Sequence, residues 1–167
     1  MEKLLLIVAI IFVLLAFPYL YKLSGLKKIS KEDIPETGNW VKLSRGNIYY
    51  EWFVPEESTE VKGTIVLVHG FSTPSFVWGG LTDNFTNSGY KVLVYDHFGR
   101  GYSERPRTKY DKALYLETLR ELIVSQGIED KVHLVGYSMG GPIVGYYADT
   151  YPDSTQSASL IAPAGFS

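Results

Sequence analysis

Apolar residues are grouped along the chain in short runs, separated by longer segments with helical spacing. Three runs have the length of a strand: Thr64 to Val68, Val92 to Tyr95 and Val132 to Val135. They contain few polar positions, as is typical of parallel strands that are covered on both faces. The segments between them carry apolar residues three or four positions apart, which indicates helices. The pattern therefore predicts an α/β chain with a mostly parallel sheet.

Further elements are predicted on either side of these runs. Residues 39–54 are rich in Trp, Tyr, Val and Ile around a tight turn, which predicts an antiparallel hairpin. A helix is expected to begin near Pro74, to end at Gly89 and to bury Phe76, Val77, Leu81 and Phe85. A second helix covers Tyr110 to Ser125, with Leu116, Leu119 and Ile123 at helical spacing. A last strand is expected over Ala158 to Ile161.

The N-terminus carries the longest apolar segment of the chain, from Leu4 to Leu20. About 17 apolar residues are at the short limit for crossing a bilayer. The sequence shows no convincing small-x-small cleavage site after Ala16, so an uncleaved single-pass anchor is preferred to a signal peptide that is removed on secretion. We therefore expect a membrane anchor over residues 1–22, a polar linker over residues 23–38 and a globular core over residues 39–167.

One serine lies in a glycine-rich turn between a strand and a helix. The sequence GYSMGG places Gly136 and Gly140 two residues on either side of Ser138. Glycine at both positions allows the backbone to reverse sharply and to pass close to its neighbours. Such a nucleophile elbow exposes a hydroxyl at a helix N-terminus, whose free N–H groups can stabilise an oxyanion. The alternative is that this segment is a structural turn, rich in glycine and serine, with no chemical role.

Three motifs together resemble the α/β-hydrolase superfamily: GYSMGG, VHGF from Val68 to Phe71, and DHFGRGYS from Asp96 to Ser103. The resemblance runs from about Trp40 to the C-terminus and implies a doubly wound sheet that is truncated after the strand following the nucleophile helix. It implies that Ser138 is the nucleophile of an acyl-transfer reaction and that the backbone N–H groups of Phe71 and Met139 form the oxyanion hole. It gives His69, Gly70, Gly136, Gly140 and Asp96 structural roles near the site.

The remaining members of a catalytic triad are not evident. The chain has three histidines, His69, His97 and His133, and none follows Ser138. We interpret His97 as a solvated loop residue and His133 as a strand residue. Because an isolated serine hydroxyl is a poor nucleophile without an adjacent base, we expect the chain to be the front portion of a longer hydrolase. The alternative is a non-catalytic, membrane-tethered remnant that binds a partner through its incomplete sheet.

Composition narrows the chemistry further. The net charge of −2 gives no preference for nucleic acid, and the absence of cysteine excludes disulfides and thiol catalysis. No cluster of His, Asp and Glu has metal-ligand spacing, and no cofactor is expected. The sequence therefore predicts a serine hydrolase that cleaves an ester or similar acyl bond of a small-molecule or lipid substrate. As a truncated chain it is expected to be inactive.

Overall fold

The computed structural model describes residues 2–24 and 29–165, and the chain divides into two units, residues 1–30 and residues 31–167. Residues 25–28 of the predicted linker and residues 166–167 of the predicted core lie outside the described residues. The first unit holds the helix α1 (Glu2–Ser24), whose large apolar side chains from Leu4 to Tyr21 are exposed. Its stretch Lys3–Lys22 has 20 residues, so it is about 30 Å long and matches the hydrocarbon core of a bilayer. By length and composition, α1 is suited to a membrane span or a signal sequence.

The second unit is built on a six-stranded sheet. Its strands are β1 (Gly38–Leu43), β2 (Gly46–Phe53), β3 (Gly63–Val68), β4 (Tyr90–Tyr95), β5 (Val132–Tyr137) and β6 (Thr155–Ile161). Their order across the sheet is β1-β2-β4-β3-β5-β6. The pairs β1–β2 and β2–β4 are antiparallel, whereas β4–β3, β3–β5 and β5–β6 are parallel. The prediction of a mostly parallel sheet opened by a hairpin is confirmed.

The sheet is covered on both faces by α2 (Leu81–Asn87), α3 (Lys112–Ser125) and α4 (Gly140–Thr150). Alternate residues of β3 contribute to two separate cores, because successive side chains of a strand point to opposite faces. Ile65 and Leu67 pack with Trp78, on the side where Phe85 of α2 also lies. Val66 and Val68 belong to a larger core that includes the buried faces of α3 and α4. The strand is therefore apolar at every position from 65 to 68.

The segment between β3 and β4 differs from its prediction as one continuous helix. It forms a short 3₁₀ helix (Ser75–Trp78), followed by α2 (Leu81–Asn87) after a break at Gly79 and Gly80. Gly80 has a φ of 83°, a left-handed conformation that no helix continues through. The break changes which side chains face the sheet, so Trp78 and Thr82 are buried. The predicted inward positions of Phe76 and Leu81 were wrong, since these side chains are 75% and 38% exposed.

Candidate active site

Three loops meet at one edge of the sheet. The parallel strands β3, β5 and β6 run side by side, with Val68 beside Gly136 and Gly136 beside Leu160. The carboxyl ends of parallel strands share an edge, and ligands of open α/β sheets bind there. The loops that follow β3, β5 and β6 are therefore adjacent, and Ser138 directly follows β5.

Ser138 has the backbone conformation of a sharp elbow. Its φ is 52°, in the left-handed region that residues other than glycine rarely adopt. The surrounding backbone holds it there: the N–H of Ser138 donates to the carbonyl of Ile161 at 3.0 Å, and its own carbonyl accepts from the N–H groups of Gly141 and Ala164 at 3.0 Å each. A strained residue fixed by its neighbours is a common feature of functional sites.

The two glycines that flank the serine lie where a side chain has no room. A Cβ at Gly136 would overlap the carbonyl of Gly140, and a Cβ at Gly140 would overlap the carbonyl of Val68. Both obstacles are backbone atoms, which cannot rotate away as the end of a side chain can. The strand, the elbow and the helix α4 are thus as close to one another as their backbones allow.

The loop after β3 lies directly against the serine. A Cβ at Gly70 would be 3.1 Å from the Cβ of Ser138. Among the hydrogen bonds of the described residues, none is donated by the N–H of Phe71 or of Met139. Met139 precedes the first residue of α4, where helical N–H groups have no acceptor within the helix. The residue that follows Gly70 and the residue that follows Ser138 therefore each carry an unbonded N–H group.

His69 orients the loop after β3 from within the protein core. Its side chain is fully buried, with Nδ1 2.6 Å from the carbonyl O of Gly70 and Nε2 accepting from the N–H of His97 at 2.9 Å. Because Nε2 accepts, the ring proton lies on Nδ1 and is donated to Gly70. Both ring nitrogens are occupied, so this histidine has no free lone pair with which to take a proton from Ser138.

The interpretation of His97 as a solvated loop residue was wrong. His97 is fully buried, with its ring 4.2 Å from that of His69 and 5.1 Å from that of Tyr115. Its Nε2 lies 3.0 Å from the carbonyl of His69, while its Nδ1 is buried without a partner. The turn that begins at Asp96 folds this residue back over the strand ends, which its polar character does not reveal.

Both buried rings are held neutral. Burial is the main cause that lowers the pKa of His69, with the nearby carboxylate of Asp96 opposing it. Burial also places the pKa of His97 well below its ordinary value, and the neighbouring His69 and Arg100 lower it further. The charged form of either ring would lack the solvation that water supplies to it in the unfolded chain.

We expect the protein to lose stability as the pH falls below about 6.5. The pKa of both histidines is lowered in the folded chain, so below the ordinary value of about 6.5 the unfolded chain binds more protons than the folded chain, and stability falls as pH falls. The slope is about 1.4 kcal/mol per pH unit for each histidine that stays neutral. Urea unfolding followed by tryptophan fluorescence measures it.

The variant that tests this slope is His97→Gln. The glutamine at position 97 keeps a donor but cannot titrate, so the slope should become smaller. Equal slopes in the wild type and in His97→Gln would contradict this explanation.

The carboxylate of Asp96 organises the loop after β4. It is fully buried and accepts from the N–H of Ser75 at 2.7 Å and from the N–H of Tyr102 at 2.8 Å. A Cβ at Gly101 would overlap this carboxylate, so the loop closes tightly around it. Asp96 makes no hydrogen bond to Ser138 in the described chain, and its bonds join the segments after β3 and β4.

Sequence reasoning missed Arg100. Its Nε donates to the carbonyl of Phe71 at 2.6 Å, and its guanidinium carbon lies 4.2 Å from the centre of the Phe71 ring. The two residues are 29 positions apart, and no local pattern indicates that contact. Arg100 also lies between Gly99 and Gly101 in the motif DHFGRGYS, which was interpreted from its aspartate and glycines and not from its arginine.

Within the residues that the structure describes, no histidine is hydrogen-bonded to the Ser138 hydroxyl. The same residues contain no group of three His, Asp or Glu side chains placed to hold a metal ion. The arrangement is thus a strained serine, a pair of unbonded N–H groups and a network that holds the loops around them. It can present a hydroxyl to a carbonyl group and accommodate the negative oxygen that forms when that hydroxyl attacks.

Comparison with known proteins agrees with this geometry. A family model described as the alpha/beta hydrolase fold matches residues 63–166. Lipase 1 of Psychrobacter immobilis is 35% identical over 108 residues, which are 61% of this chain and 32% of that protein. Lipase 3 of Moraxella sp. (strain TA144) is 36% identical over 117 residues, or 66% of this chain and 35% of that protein.

Among solved structures, an esterase from Exiguobacterium antarcticum superposes with a TM-score of 0.67 at 23% identity, covering 77% of this chain and 46% of that one. At that identity the likeness concerns the fold. The family match covers more than half of the chain, so the protein belongs to the α/β hydrolase fold family, as its three motifs predicted. The chain spans about a third of the length of the curated relatives it matches.

Proposed function

We propose that the protein is a serine hydrolase that cleaves an ester or similar acyl bond, with Ser138 as the nucleophile. The observation that carries the proposal is the elbow itself: Ser138 has a φ of 52° and lies against Gly70, and the residue after each of them, Met139 and Phe71, has an unbonded N–H. A turn without a chemical role would not need a strained serine beside two unused donors.

The chemistry follows from these groups. The Oγ of Ser138 attacks the carbonyl carbon of the substrate and gives its proton to a base. The carbonyl oxygen becomes an oxyanion that accepts hydrogen bonds from the N–H groups of Phe71 and Met139. The carbon–oxygen bond to the leaving alcohol then breaks, and the alcohol takes the proton from the base. Water attacks the acyl-enzyme in the same way, which releases the acid and restores Ser138.

We infer that none of the three histidines of this chain is the base for Ser138. Both ring nitrogens of His69 are hydrogen-bonded, and His97 is fully buried against it. His133 bonds with Ser157, in the strand rather than in the loops around the elbow. We therefore propose that a histidine outside the described residues acts on Ser138, supported by an acid that these residues do not identify.

The substrate class is proposed from the relatives and from α1. The curated relatives include two proteins named as lipases, which favours a lipid or other acyl ester. The helix α1 is long and apolar enough to cross a membrane, so we propose a single-pass anchor over residues 1–22 and a linker over residues 23–38. An anchored hydrolase would meet its substrate at the membrane surface.

The proposal predicts hydrolysis of nitrophenyl esters by the protein expressed from its complete gene and purified in detergent. Product release should begin with a burst of about one equivalent of nitrophenol per enzyme, because deacylation follows a faster acylation. A graded series of acyl chain lengths would show which chains are preferred. Absence of hydrolysis across the series, in a folded sample, would reject the proposal.

A second candidate function is partner binding by a non-catalytic chain. It is favoured by the exposure of β6, whose residues from Gln156 to Ile161 are exposed in the described structure. An unpaired strand edge can accept a strand from another chain. A folded protein that neither hydrolyses esters nor reacts with a fluorophosphonate, but does bind a partner along β6, would favour this candidate.

A further inference from the structure

Phe71 is held by hydrogen bonds on both of the peptide groups that flank it. The first peptide group carries the carbonyl O of Gly70, which accepts from His69 Nδ1 at 2.6 Å, and the N–H of Phe71 at its opposite end. The second carries the carbonyl O of Phe71, which accepts from Arg100 Nε at 2.6 Å. Because peptide groups are planar, only the φ and ψ rotations of Phe71 lie between them. Fixing both groups therefore fixes the direction of the Phe71 N–H.

The side chain of Phe71 has little else to hold it. The ring is 61% exposed and is not part of either hydrophobic core. The guanidinium of Arg100 lies over it, 4.2 Å from the ring centre, within the range of a cation–π interaction. One side chain thus contacts both the backbone and the ring of the same residue.

Arg100 is itself fixed by a tight turn. Its N–H donates to the carbonyl of His97 at 3.0 Å, and its Nη1 donates to the carbonyl of Gly99 at 3.0 Å. The same turn supplies the N–H of His97 that holds His69. The loop after β4 therefore holds Phe71 in two ways. Through His69 it fixes the peptide group before Phe71, and through Arg100 it fixes the peptide group after Phe71.

We propose that Arg100 is a positioning residue for the oxyanion hole: it holds Phe71 from its carbonyl and its ring, and so keeps the Phe71 N–H directed at the substrate oxygen. The inference rests on the proposed function, in which that N–H is a donor. Hydrogen bonds from a charged donor are stronger than neutral ones. Lysine would keep the charge, but it lacks the planar group that stacks on a ring while donating sideways.

The kinetic test compares Arg100→Ala and Arg100→Lys with Arg120→Ala. Arg120 is the control, because its side chain also donates a hydrogen bond, to the Ser154 hydroxyl at 2.9 Å, and also lies over a ring, that of Tyr151 at 5.0 Å. We expect both Arg100 variants to lower kcat about tenfold with KM changed less than about twofold, since a misdirected donor affects the oxyanion more than substrate binding. Arg120→Ala should keep the wild-type kcat.

A second measurement needs no catalysis. The sequence has 8 phenylalanines. When the protein is labelled with ¹⁵N-phenylalanine, the backbone order parameter of Phe71 reports the mobility of its N–H. We expect its order parameter to fall from about 0.85 to below about 0.6 in Arg100→Ala and to stay unchanged in Arg120→Ala. An unchanged order parameter at Phe71 in Arg100→Ala would overturn the inference.

The two measurements separate the inference from the proposed function. A protein that hydrolyses no ester defeats the proposed function, and the order parameters still show whether Arg100 orders Phe71. An active hydrolase in which Arg100→Ala keeps the wild-type kcat would overturn the role of Arg100 and leave Ser138 in place. Wild-type kcat in Arg100→Lys would also overturn it, because charge alone would then suffice.

Discussion

Replacing Ser138 by alanine should lower ester hydrolysis by about 10⁴-fold or more, because removal of a covalent nucleophile leaves only the contribution of the oxyanion hole and substrate binding. The fold should be retained, because the strained backbone is held by main-chain hydrogen bonds: the Ser138 N–H donates to Ile161, and the Ser138 carbonyl accepts from Gly141 and Ala164. Steady-state hydrolysis of a nitrophenyl ester measures the effect, and the thermal midpoint of unfolding shows that the variant is folded.

Ser88→Ala is the matched control for this change. Its hydroxyl donates to the carbonyl of Asn84 at the end of α2, remote in the chain from the three loops of the site. That variant should keep the wild-type rate within about twofold. A Ser138→Ala protein with the wild-type rate would show that the hydrolysis arises from another residue or from a contaminant.

Replacing Gly140 by alanine should destabilise the protein by about 3 kcal/mol and reduce its activity. The added Cβ would overlap the carbonyl of Val68 and lie 2.9 Å from that of His69. Overpacking at a tight contact costs about 1–3 kcal/mol, and it costs more when the obstacle is backbone that must shift. The shift would also separate the elbow from the loop that carries Phe71. Urea unfolding gives the change in the free energy of unfolding.

Gly145→Ala provides the comparison within the same helix. A Cβ at Gly145 would meet no atom within 4 Å, so the alanine should stabilise α4 by about 0.5–1 kcal/mol through its higher helix propensity. Opposite signs for the two substitutions are the expected result. Similar losses at both positions would mean that helix geometry, rather than the approach of α4 to β3, requires the glycines.

The sheet was largely predictable because its strands are buried on both faces. The runs Thr64 to Val68 and Val132 to Val135 lack polar alternation, and both became central strands. The break in the helical segment before β4 was not predictable in the same way, because single glycines such as Gly79 and Gly80 also occur inside helices. Here the two glycines end the short 3₁₀ helix that places Trp78 against the sheet.

The site was predictable only where it is local in sequence. The spacing of Gly136 and Gly140 around Ser138 is enough to predict a sharp turn. The burial of His97 and the contact between Arg100 and Phe71 depend on a turn folding over the ends of neighbouring strands. Their partners lie 28 and 29 positions away in the chain, so spacing and composition carry no signal for them.

The most direct test of the account is the position of a covalent adduct. The protein from its complete gene is treated with a fluorophosphonate, digested with trypsin and analysed by fragmentation mass spectrometry. Trypsin cleaves after Lys131, so Ser138 lies in the peptide that begins at Val132. If Ser138 is the nucleophile, one phosphonyl group is expected on Ser138, and none in Ser138→Ala. A folded protein that gains no adduct, or an adduct on another residue, would contradict it.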